Sequence, residues 1–235
     1  KADWIEQCIK ILKWKLIVKR WDQPRDLLPF RNGVLNTRTG EFLDHAPGYR
    51  FTWSLPREHD PSATDWSTIE NWMNTATGGS QRLKNILLCY LNACLKGRSD
   101  LQRALYLTGP GGTGKGTYVR LAIALVGKQN NHSSSLAEWC GNRFETVNAY
   151  GKRLLTFADE DKYAGGLSNF KKVTGGDAIR GEIKRKQAFD FLFEGMVLLA
   201  SNYPIFSGDT SSGIYRRLLI AAFDVIIPPN QRRDL

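Results

Sequence analysis

Apolar residues recur at Trp4, Ile5, Cys8, Ile9, Leu12 and Leu16 with the spacing of one helix face, which predicts a helix within residues 2–20. The pattern then breaks. Residues 24–61 are dense in the turn dipeptides NG, TG and PG, which separate short extended pieces, VLNT, GEFLDH and FTWSL. This stretch reads as a small mixed domain. Helical spacing returns at Trp66, Ile69, Trp72 and Met73, and again at Leu83, Ile86, Leu87, Tyr90, Leu91 and Cys94, the last run closed by Gly97. These stripes are expected in a core. Beyond Gly97 the chain alternates, with apolar strand candidates at 104–108, 153–158, 196–201 and 217–223 separated by helical or hairpin pieces. That alternation predicts an α/β fold with a largely parallel sheet and helices on both faces.

Between the first of those strands and a helical run ending at Gly127 lies Gly109-Pro110-Gly111-Gly112-Thr113-Gly114-Lys115-Gly116-Thr117. Such a loop turns successive backbone N–H groups around a phosphate, at the positive end of the following helix, within reach of the lysine. It would sit at the carboxyl edge of the sheet. The residue after the lysine normally carries the hydroxyl that ligates magnesium; here it is Gly116, and Thr117 is the candidate for that role. A glycine-rich turn that binds nothing is the bland alternative, and the strand-loop-helix setting argues against it.

Composition narrows the class. The 235 residues suffice for one good core plus a small accessory domain, and there is no run of eighteen apolar residues and no secretory leader. A soluble, cytoplasmic protein is expected, with no membrane partner. The chain opens at Lys1 without methionine and closes on NQRRDL soon after a strand, which points to a piece of a longer protein. Cys8, Cys89, Cys94 and Cys140 lack paired close spacings and are expected as core thiols; His45, His59 and His132 lie in polar, loop-like sequence and receive no role. The net charge of +10 and pI near 9.5 imply a polyanionic partner. The cations cluster from Lys10 to Arg20, at Lys184, Arg185 and Lys186, and at Arg216 and Arg217. A solvated basic face explains the first cluster equally well.

Three further elements fit phosphoryl chemistry. RLLTFADED delivers Asp159, Glu160 and Asp161 from an apolar strand to the sheet edge, where one acid can hold magnesium and another orient water. VLLASNYP ends a strand at Asn202, whose amide could bond the terminal phosphate, although the same residue could simply begin the turn before Pro204. GDTSSGIYRRLLI sets Arg216 and Arg217 just before a strand, where a guanidinium from a neighbouring subunit would neutralise charge on the transferred phosphoryl group.

In this order, the motifs resemble those of the superfamily 3 replicative helicases, specifically the helicase half of phage and plasmid primase/helicases and the related poxvirus type. FRNGVLNTRTGEFLDH with DPSATDW looks like the domain preceding the ATPase in that group, and CYLNACLKG like the joining helix. The resemblance implies residues 1–80 as an N-terminal helical, collar-type domain and residues 81–235 as a P-loop, AAA+-like ATPase domain. LSNFKKVTGGDAIRGEIKRKQAFDF looks like the family's hairpin that projects into a central channel and touches DNA, which implicates Lys184, Arg185 and Lys186, with Lys171 or Lys172 at another position where the family carries a lysine. It further implies ATP bound by residues 109–117, magnesium at Thr117 and Asp159, Glu160 with Asp159 as the acidic motif, Asn202 as sensor, and Arg216, in preference to Arg217, as the finger across a subunit boundary. A ring, hexameric in this family, would move on single-stranded DNA at a replication fork, with a primase domain elsewhere in the parent polypeptide.

Two rivals belong to other classes. GPGGTGKGT is also similar to the loop of adenylate kinase-type enzymes, but about a hundred residues precede it here and a basic segment follows. A DNA-binding or assembly module with a decayed ATP site would not be expected to keep the lysine, acids, asparagine and arginine together.

Overall fold

The structure, a computed structural model, describes residues 2–16, 24–160, 162–206 and 212–229. Lys19 and Arg20 of the first basic cluster, Asp161, most of the GDTSS loop and the closing QRRDL lie outside the described residues.

Helix α1 (Ala2–Lys15) leads into an antiparallel sheet of β1 (Leu27–Phe30), β2 (Gly33–Asn36) and β3 (Phe42–Leu43). Helices α2 (Ser67–Ala76) and α3 (Gln81–Lys96) follow, and α3 ends as its sequence predicts, with Gly97 left-handed at φ 61°. The remaining elements are β4 (Ala104–Thr108), α4 (Lys115–Val126), β5 (Asn131–Ser134), α5 (Leu136–Gly141), β6 (Leu154–Glu160), α6 (Ser168–Gly175), β7 (Ile179–Gly181), β8 (Phe189–Phe191), β9 (Met196–Ser201), α7 (Ser212–Tyr215) and β10 (Leu218–Ala222).

Five strands form one parallel sheet in the order β10-β4-β9-β6-β5, while β7 and β8 pair as a separate hairpin. Alternation along each strand divides the core in two. Leu105, Leu107, Leu198, Ala200, Ala221 and Phe223 face α2, α3 and α4, where Met73, Leu87, Cys94, Tyr118 and Ala122 are buried. Tyr106, Leu155, Phe157, Val197 and Leu199 face the other side, against Trp139 of α5, Phe170 of α6 and Ile214 of α7. A third, small cluster of Leu28, Phe30 and Leu55 lies under the antiparallel sheet. Tyr90 ties the layers together: its hydroxyl donates to the Val197 carbonyl and accepts from Leu105 N at 3.1 Å.

Several expectations need correction. FTWSL forms no strand; Leu55 is fully buried in the cluster that Trp53 packs against, and the Trp53 ring meets Phe51 edge-on and lies beneath Arg153 at 4.3 Å. Trp66, expected in a core, is exposed, and the apolar face of α1, for which no burial was expected, is exposed as well, with Trp4 69% and Leu12 55% accessible. Cys89 is exposed instead of buried, whereas Cys94 is in the core, where burial pushes its thiol pKa well up. His132 lies in strand β5, half-buried, with Nε2 2.7 Å from Glu145. No helix among the described residues is long and apolar enough to cross a membrane.

Candidate functional site

The site grows from the turn between β4 and α4. Gly109 has φ 143° and its backbone lies against the Phe223 carbonyl at the end of β10, so a side chain there would collide. Gly114 is left-handed at φ 97° and lies against the indole of Trp72 and the methyl of Ala76, both on α2. Ile227 N donates to Gly112 O at 3.0 Å, so the segment after β10 also braces the loop. Lys115 is buried and its Nζ donates to Gly109 O at 2.6 Å and Pro110 O at 2.7 Å. Burial lowers the Lys115 pKa, and the carboxylate of Asp159 opposes that shift, which sets the acid close to the ammonium.

Sheet order brings the other groups to this edge. Strand β9 lies between β4 and β6, and Ser201 at its end is in register with both Thr108 and Glu160. Asn202 therefore follows directly between the phosphate loop and the acids, with its side chain exposed. The turn carrying it is pinned: Tyr106 Oη is 2.7 Å from Ser201 Oγ, donates to Tyr203 O at 3.0 Å, and accepts from Ile205 N at 3.1 Å.

The two acids take different directions. The β6–β9 register shifts between Phe157 and Glu160, and Asp159 within that irregularity is left-handed at φ 55°. Asp159 is exposed on the lysine side, while Glu160 Oε1 accepts from Leu136 N at 3.1 Å at the start of α5. Among the described residues no group of three or more His, Cys, Asp or Glu could hold a metal by itself. A magnesium ion here would need phosphate oxygens as ligands besides the Asp159 carboxylate, because the Thr117 hydroxyl already accepts from Arg120 Nη2 at 3.1 Å.

The arginines also separate. Arg217 Nη1 donates to Gly213 O at 2.6 Å, and its guanidinium packs where a Gly175 side chain would stand. Arg216 is exposed and makes no hydrogen bond or ion pair with any described residue. Leu218 pairs with Ala104 and Ala222 with Thr108, so Arg216 lies at the amino edge, roughly 20 Å along the strand from its own phosphate loop.

The hairpin β7–β8 is rooted at that same amino edge. Thr146 Oγ1 donates to Arg180 O at 2.6 Å, and Tyr150, just before β6, meets Phe189 and Phe191 edge-on. Lys184, Arg185 and Lys186 occupy the exposed connection between the strands, Arg185 left-handed at φ 62°. Lys184 Nζ stands 5.7 Å from the Phe144 ring, whose centre also lies 4.7 Å from the Arg143 guanidinium. Lys172 is exposed on α6, and Lys171 is half-buried there.

Sequence pattern does not single out Arg120, yet its Nη2 donates to Thr117 Oγ1 at 3.1 Å. The signal was its helical spacing, three residues after Thr117 and four after Gly116. Trp72 is likewise legible only as a core residue, although it touches the loop.

Fold and loop together define a P-loop, AAA+-like parallel-sheet protein with a helical N-terminal region. The chain belongs to one family with the uncharacterized mitochondrial protein ymf21 of Marchantia polymorpha, to which it is 30% identical over 56% of this chain and 81% of that protein. Residues 107–217 match a family described as of unknown function (DUF5906), and residues 3–78 match the family described as D5 N terminal like. A protein of Acanthamoeba polyphaga mimivirus that carries a helicase name, L207/L206, is 24% identical over 93% of this chain and 24% of its own length. Among solved structures, the apo NrS-1 C-terminal region superposes with a TM-score of 0.58 at 12% identity, over 94% of this chain and 53% of that one. The chain thus spans about a quarter of the mimivirus protein and about half of the NrS-1 region.

Proposed function

We propose that this chain is the helicase part of a superfamily 3 replicative DNA helicase: an ATPase that assembles as a ring, a hexamer, and translocates on single-stranded DNA. The observation that carries the reading is the placement of β9 between β4 and β6, which gathers Lys115, Asp159 and Asn202 at one edge while Arg216 stands at the other. The helicase name of the mimivirus relative supports it, as does a basic hairpin on a chain of net charge +10.

In this mechanism residues 109–114 wrap the phosphates with backbone N–H groups, and Lys115 turns from its loop carbonyls to the outer phosphates. Magnesium would be held by Asp159 together with phosphate oxygens, and would supply charge neutralisation there. Asn202 holds the attacking water or the terminal phosphate, and Glu160 backs the acidic edge from its bond to α5. Arg216 acts on the nucleotide of the adjacent subunit, because its own loop is out of reach. Lys184, Arg185 and Lys186 grip the DNA backbone through phosphate contacts, which makes the grip sequence-tolerant and salt-sensitive. Residues 1–80 serve as the collar-type domain and 81–235 as the motor, with a primase domain elsewhere in the parent polypeptide.

The test is phosphate release from ATP with and without single-stranded DNA or a nucleoside monophosphate, together with unwinding of a forked duplex. Helicase activity predicts DNA-stimulated hydrolysis that Lys115→Ala abolishes. Hydrolysis indifferent to DNA, with phosphoryl transfer to the monophosphate, would replace this reading by the kinase-type one.

A further inference from the structure

Gly116 stands where the phosphate-loop pattern places a metal-ligating hydroxyl, and the geometry around it shows what fills that space. A Cβ built on Gly116 would lie 3.4 Å from Nη1 of Arg120, with no other neighbour within 4 Å apart from its own helix backbone and chain neighbours. Nη2 of the same guanidinium holds Thr117 Oγ1 at 3.1 Å. Helical spacing puts Gly116, Thr117 and Arg120 on one face of the first turns of α4, beside the loop. Arg120 is exposed, and among the described residues no carboxylate pairs with it.

Resting on the nucleotide reading above, we infer that Arg120 is a phosphate-binding residue whose guanidinium occupies the place of the missing hydroxyl side chain. It adds a second fixed positive charge next to Lys115, and its planar fork can hold Thr117 through one nitrogen while presenting the other to a phosphate oxygen. Thr117 is then a positioning residue for Arg120. A dication bound to the same hydroxyl would face the guanidinium at close range and be repelled, so the metal is left to Asp159, phosphate oxygens and water. The consequence is a nucleotide affinity that depends on metal less than that of a loop with a serine or threonine after the lysine.

The experiment titrates fluorescent N-methylanthraniloyl-ATP into the full chain, once with Mg2+ and once with EDTA. The parent is expected to keep most of its affinity in EDTA. Arg120→Ala should lose roughly tenfold or more there, and less with Mg2+ present. Arg120→Lys, which keeps the charge but loses the fork, should fall between. Adding Gly116→Ser to Arg120→Ala should restore binding in Mg2+ only. Equal binding of Arg120→Ala and parent in EDTA overturns the inference and leaves the nucleotide reading standing. A parent that binds in neither buffer overturns both. Thermal melts accompany each variant; should Arg120→Ala melt early, the comparison of Arg120→Lys with parent decides.

Discussion

The position of Arg216 yields the sharpest prediction about catalysis. Changing it to alanine removes an exposed guanidinium with no partner among the described residues, so the fold loses nothing measurable. Its own phosphate loop lies roughly 20 Å away along β10, so any contribution to hydrolysis must be made to a neighbour. An arginine finger is worth about a thousandfold or more in turnover, so Arg216→Ala should bind ATP normally and hydrolyse it at about a thousandth of the parent rate. Lys115→Ala fails for the complementary reason. In rings assembled at random from equal amounts of the two, about one interface in four joins an intact loop to an intact arginine, so turnover should recover to about a quarter of the parent value. The assay is steady-state phosphate release across a mixing series, with native mass spectrometry to count mixed rings. Full activity of Arg216→Ala alone, or no recovery in rings shown to be mixed, refutes a shared site.

Other consequences are directly measurable. Lys184→Ala and Lys186→Ala should each weaken single-stranded DNA binding evenly across sequences and lower the slope of log affinity against log salt by about 0.7 to 1, read by fluorescence anisotropy. Tyr90→Phe strands the buried Leu105 N–H and Val197 carbonyl that the hydroxyl joins, and should cost about 1–3 kcal/mol in a urea melt. Under native conditions a maleimide should label exposed Cys89 ahead of Cys94, whose burial keeps it protonated and out of reach until the chain unfolds; mass spectrometry after limited labelling reads the order.

The strands that carry the site were legible because they are short, apolar and buried on both faces; β4 and β9 fall on the residues their pattern marks. Strand β5 was not. Its sequence NHSS is polar, and it pairs with β6 alone, holding on through Ser133 and Asn131 to Thr156 instead of through apolar packing. FTWSL misled for the opposite reason: its aromatic alternation mimics a strand, yet the Phe51 and Trp53 rings meet edge-on at 6.3 Å and Arg153 covers Trp53, with no strand pairing. Asp159 and Glu160 read as one acidic pair, but a register shift between β6 and β9 turns them apart, and no linear pattern encodes that irregularity. The same holds for Arg216 and Arg217, adjacent in sequence, the first without a partner among the described residues and the second locked to Gly213. Arg120 escaped notice because its meaning lies in the space beside Gly116, which exists only once the helix has formed.

Met73 and Ala76 of α2 share one buried cluster with Leu87 of α3, Ala122 of α4 and the strand residues Leu105 and Leu198, and α2 also touches the phosphate loop at Gly114. Residue 80, where the family resemblance implies a boundary, therefore falls between two helices of one buried cluster, which are expected to melt together. The unfolding transition should be single and cooperative, with no free-standing motor obtained by cutting there; a chain beginning at residue 81 would expose the floor of its own nucleotide site to water and aggregate.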